Sequence, residues 1–141
     1  MKTAKLLFAS FSLMLIFFFS RCTPDHNFNS PTSETLTSSN WSVDYYFASQ
    51  DLTGAFGGYS LYFSSTGSIA ATKGNIIILG NWSNGMDANK NEIITINLST
   101  TDPNLNKLSE GWKLVSQTLT TLQFEQNAHT NNPTQFRIRK E

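Results

Sequence analysis

Few side chains in this chain can do covalent or metal chemistry, and their spacing limits what that chemistry is. Cys22 is the only cysteine among 141 residues, so it cannot form an internal disulfide and needs its own account. His26 and His129 are the only histidines. Neither stands at ligand spacing from another His, a Cys or a carboxylate, which argues against a zinc site. Asp87, Asn89, Asn91 and Glu92 offer closely spaced oxygens. Calcium takes such ligands; the same residues suit a hairpin turn, where Asn and Asp tolerate left-handed backbone. There is no Gly-x-Ser-x-Gly elbow. The glycines at 54, 57 and 58 precede no helix pattern, so they do not read as a phosphate cradle. No nucleophile is paired with a base, and no two carboxylates sit at a recognisable spacing. The expectation is a non-catalytic chain with no metal and no cofactor.

What remains is aromatic. Trp41, Tyr45, Phe56, Tyr59, Trp82 and Trp112 are candidates to line a cavity for a small apolar or amphipathic ligand. Phe47, Phe63, Phe124 and Phe136 fall in the same inward set. Such bulk also suits a core filled by side chains, since small barrels either fill or hold one ligand. With a filled core, the polar Ser/Thr/Asn surface or an exposed aromatic such as Tyr46 or Tyr62 would meet an envelope protein.

The first residues read as an address. Lys2 and Lys5 open the chain, and Leu6 to Phe19 is a mostly apolar run broken only by Ser10 and Ser12. As a helix that run would span about 21 Å, short of the ~30 Å hydrocarbon core. Such a length fits a signal-peptide core. From Cys22 onward seven basic residues face ten acidic ones, a net of −3. A mildly acidic body gives no electrostatic reason to bind nucleic acid. Residues 22–36 carry Pro24, Pro31 and many Ser and Thr, with almost nothing apolar. They read as a flexible tether, because such a composition cannot bury enough surface to offset its ordering entropy.

Behind the tether the period is two. Trp41, Val43, Tyr45 and Phe47 alternate with polar or smaller neighbours. Further strands are predicted over Tyr59–Ser64, Ser68–Thr72, Ile76–Ser83, Ile93–Ser99, Glu110–Gln117, Leu119–Glu125 and Thr134–Lys140. Ser65-Thr66-Gly67 and Lys73-Gly74-Asn75 are turns. The stretch from Gln50 to Gly58 reads as a flexible loop, with Phe56 the natural lid of any pocket. Asp102-Pro103 starts a helical turn in which Leu105 and Leu108 cap one end of a core. Eight short strands joined by hairpins predict an all-β, eight-stranded up-and-down antiparallel barrel. The expected organisation is a signal peptide over 1–21, a tether over 22–36 and one barrel domain over 37–141.

Two resemblances accompany this reading. The basic start, apolar core and Phe19-Ser20-Arg21-Cys22 resemble a bacterial lipoprotein signal peptide, with Arg21 standing where the family places Gly, Ala or Ser. That implies export, lipidation of Cys22 and a membrane anchor in the cell envelope, at the outer membrane. In the body, Trp41, the run Tyr62-Phe63-Ser64-Ser65-Thr66-Gly67, Gly80-Asn81-Trp82 and Trp112-Lys113-Leu114 resemble lipocalin-like lipoproteins of Bacteroidetes-type bacteria, over residues 40–141. The resemblance implies a barrel open at one end. It carries over no functional residue.

Overall fold

A computed structural model describes residues 30–126 and 131–141. The expected signal peptide, Cys22, His26 and His129 lie outside the described residues. The described chain is an all-antiparallel barrel of eight strands, closed in sequence order. The strands are β1 (Asn40–Phe47), β2 (Ser60–Phe63), β3 (Ser68–Lys73), β4 (Ile76–Met86), β5 (Glu92–Leu98), β6 (Gly111–Gln117), β7 (Thr121–Gln126) and β8 (Thr134–Lys140). β1 closes the ring by pairing with both β2 and β8. Closure leaves no sheet edge free.

Alternation fills the interior. Leu61, Phe63, Ile69, Ala71, Trp82, Ile94, Ile96, Leu98, Leu122, Phe124, Phe136 and Ile138 are all buried. Turn chemistry follows the residues: Gly67 takes φ +87° between β2 and β3, a conformation that costs glycine least. On β4, Gly80 sits so close to β5 that a Cβ there would collide with the Asn97 carbonyl and lie 2.8 Å from Leu98 Cα.

The expected alternation fails on β1. Val43 pairs with Ile138, but Tyr45 pairs with Arg137, the next residue of β8. Asp44 is therefore an extra residue, a β-bulge, which switches the faces of everything after it. Tyr46 turns inward and is buried, while Tyr45 and Phe47 are only half-buried. A second bulge, at Val115 on β6, leaves that side chain exposed.

Part of the stretch expected to be a flexible tether is helical. Pro31–Thr37 forms a helix, α1. Ser30 caps it by accepting from the Ser33 amide at 3.1 Å, and Pro31 occupies the first turn, where its missing N–H costs nothing. Thr32, Ser33 and Leu36 share one face and are buried. Across the barrel from α1, the stretch expected to be a flexible lid is fastened instead. A 3₁₀ turn, Thr53–Phe56, buries Phe56. The Leu52 amide donates to the Tyr46 carbonyl at 2.9 Å, and the Tyr46 amide to Thr53 Oγ1 at 2.9 Å. A second 3₁₀ turn, Leu105–Leu108, buries both leucines, as expected. Tyr46 on β1 reaches across to donate its hydroxyl to the Lys107 carbonyl at 3.3 Å. That end is covered, where the resemblance implied an open mouth.

Candidate functional site

The six aromatic candidates do not form one group. Trp41, Phe56, Tyr59, Trp82 and Trp112 are buried. Tyr45 is not in the interior; its ring lies outside beneath the Arg137 guanidinium, 5.8 Å from ring centre to charge. Tyr59 lies at the rim with the Lys73 ammonium 5.0 Å from its ring.

Inside, rings meet rings. Tyr46 lies 4.8 Å from Phe56 and 6.1 Å from Trp112, centre to centre. Trp112 lies 5.1 Å from Phe136, which stacks on Phe124 at 5.3 Å. Phe63 meets Trp82 edge-on at 5.5 Å. These separations are those of favourable aromatic pairs. Burial raises the pKa of the Tyr46 hydroxyl, and the Glu110 carboxylate adds to the rise. The group therefore remains a neutral donor to Lys107.

Each tryptophan also ties a non-strand segment to the barrel. Trp41 Nε1 donates to the Leu36 carbonyl of α1 at 2.8 Å. Trp82 Nε1 donates to the Ser64 carbonyl in the β2–β3 turn at 2.8 Å. Trp112 Nε1 donates to the Leu108 carbonyl at 2.9 Å. A buried N–H left without a partner would be costly. The indoles are thus engaged in holding the caps.

A polar cluster that periodicity does not reveal lies under α1. Asn84 on β4 is buried, and its amide nitrogen faces Ser30 Oγ at 2.5 Å, Glu92 Oε1 at 2.6 Å and Ser33 Oγ at 3.0 Å. Thr32 Oγ1 lies 2.8 Å from both Glu92 Oε2 and Gln117 Oε1. Gln117 Nε2 donates to Thr35 Oγ1 at 2.8 Å. Both oxygens of Glu92 are occupied by hydroxyl and amide donors, so the carboxylate latches the helix. Ser30 followed by Pro31 is the signal that marks this helix start.

The oxygens considered for calcium are divided between two jobs. Asp87 Oδ1 accepts from the amides of Asn89 and Asn91, both at 2.8 Å, and Oδ2 from Asn91 Nδ2 at 2.8 Å. Those bonds lower the Asp87 pKa, the Asn91 side chain contributing most. Glu92 faces α1 instead. This is a hairpin turn, with Lys90 at φ +64°. Among the described residues, no three His, Cys, Asp or Glu side chains come together as a metal site would require.

An eight-stranded antiparallel barrel with helical segments over both ends is the class of protein these features define. No family model matches the chain, and no curated protein matches it. Among solved structures, the fold is similar to that of a DUF4847 family protein from Bacteroides vulgatus ATCC 8482, with a TM-score of 0.54. The match covers 78% of this chain and 97% of that one, at 16% identity. At that identity the likeness is one of fold.

Proposed function

We propose that this chain is an exported, non-catalytic envelope lipoprotein, anchored through Cys22, whose barrel is a side-chain-filled module that works through its outer surface. The observation that carries the filled-core reading is the continuous ring packing from Phe56 through Tyr46, Trp112 and Phe136 to Phe124. The packed rings occupy interior space that an apolar ligand would need. The caps at both ends support the same reading. The lipid anchor rests on the N-terminal pattern and on the lone cysteine that ends it.

Two measurements test these parts separately. Intact mass of the membrane-extracted protein should equal residues 22–141 plus acyl chains, and Cys22→Ser should lose the acyl mass and membrane retention yet fold normally. A full-length mass without acyl chains would refute the anchor. Titration with fatty-acid and aromatic fluorescent probes should give no saturable quenching of tryptophan emission. Saturable one-to-one binding would refute the filled core and restore the carrier reading.

A further inference from the structure

The barrel is divided by charge. Across β2, β3, β4 and β5 the only charged residues are Lys73 and Glu92, each at a strand end. Lys73 donates to the Gly57 carbonyl at 2.7 Å, and Glu92 faces α1. The outward side chains between them are uncharged. Cross-strand register sets Tyr62 beside Ala70 and Ala70 beside Leu79, with Thr72 beside Ile77 in the next row. Tyr62 is 49% exposed, Leu79 63% and Ile77 67%. By contrast β1, β6, β7 and β8 carry Asp44, Lys113, Glu125, Arg137, Arg139 and Lys140. A contiguous exposed apolar area on a surface otherwise rich in polar groups marks an interaction site.

We propose that the Tyr62–Leu79–Ile77 face lies on the lipid surface to which Cys22 is anchored. The inference rests on the anchor reading and adds an orientation to it. Three observations select lipid as the occupant. The chain enters the barrel at Ser30, which touches Asn84 on β4 at 2.5 Å, beside the uncharged half. Seven residues lie between Cys22 and Ser30, and the eight steps span at most about 27 Å. Leu79 lies five residues from Asn84 along β4, about 17 Å at ~3.3 Å per residue. One membrane plane can therefore meet both the anchor and the face. The second observation is electrostatic. A body of net −3 is repelled by anionic headgroups, and ionised side chains resist desolvation. The half whose outward strand side chains carry no charge, Glu92 being turned to α1, is the one that can be pressed against lipid. Third, the exposed residues are of the right kind: two aliphatic side chains beside a tyrosine, whose apolar ring and polar tip suit the interface.

The test uses the full, membrane-extracted chain reconstituted in vesicles of equal parts phosphatidylethanolamine and phosphatidylglycerol. An environment-sensitive fluorophore is placed on Leu79→Cys, Ile77→Cys or, on the charged half, Gln123→Cys. Intact mass of each sample reads the anchor independently. The expected result is a blue-shifted emission at 79 and 77, quenched by nitroxide-labelled lipid several-fold more than at 123. Equal quenching at all three sites in acylated protein would overturn the orientation while leaving the anchor standing. Missing acyl mass with quenching kept at 79 would refute the anchor but support the face. If the shift at 79 instead followed protein dilution and ignored nitroxide lipid, a second copy would cover the face and the proposal would fail.

Discussion

At the scale of single residues, the aromatic and glycine positions singled out by pattern have physical roles that differ from one another. Gly80 and Trp82 stand two apart on β4, and both let the barrel close tightly there. Gly80 allows β5 to approach, and Trp82 spans to the Ser64 carbonyl. Gly80→Ala places a methyl group against backbone atoms that cannot rotate away. It should cost about 1–3 kcal/mol or more as overpacking, read as a lower urea midpoint; an unchanged midpoint would mean that β4 and β5 separate freely. Asp87 acts on the β4–β5 turn through its charge. Its hydrogen bonds hold the folded pKa below the unfolded value. The contribution is therefore present above the unfolded pKa, near 3.9, and is lost as pH falls through the lower folded pKa. Amide exchange in the turn should rise in that acid window, and Asp87→Asn should remove the step. Exchange in the variant that still followed pH across the same window would place the titrating group elsewhere.

The elements divide into those a period can reveal and those it cannot. The seven strands from β2 to β8 are legible because inward and outward residues alternate along them, save at the Val115 bulge, and because Gly and Asn mark turns between them. The β1 bulge is not. One inserted residue, Asp44, leaves the composition of the strand unchanged while exchanging the faces of Tyr45 and Tyr46. Simple alternation thus places Tyr45 in the cavity and Tyr46 outside, the reverse of the fold. Helix α1 was hidden for a different reason. With seven residues and one apolar anchor, Leu36, it has no amphipathic stripe, and Pro31 suits a tether as well as a first helical turn. Its stability comes from tertiary contacts: Leu36 in the core, the Trp41 indole on its last turn and the Asn84–Glu92 latch at its start. Isolated helices of this length do not persist in water. Leu36→Ala should therefore cost about 2–5 kcal/mol and speed amide exchange over 31–37 more than in β3–β5. Uniform acceleration across the barrel would mean that α1 and the sheet unfold as one unit.

At the scale of the whole molecule, the ring is closed at the β1–β8 seam, which joins residues nearly the full domain apart in sequence, such as Val43 and Ile138. Every other strand pair is formed by neighbours in the chain. Loop entropy must be overcome before such distant pairing gives any return, so the seam should form after the local hairpins. Its outer side is held by Asp44, which meets Arg137 at 2.8 Å and Arg139 at 2.6 Å. Those arginines are partly exposed, which limits the ion pairs to at most about 1 kcal/mol with strong salt dependence. Its inner side is Phe136 packed on Trp112 and Phe124, and removing such a ring costs about 3–5 kcal/mol. The seam should thus be closed by apolar contact and only trimmed by charge. Stopped-flow folding measures both statements. Asp44→Asn should lower stability slightly, and less so in high salt. Phe136→Ala should lower it severely, with most of the change appearing as faster unfolding, because a late-forming contact is absent from the transition state. If Phe136→Ala instead slowed folding by the full amount, β1 and β8 would meet in the nucleus, and the barrel would form from its ends inward.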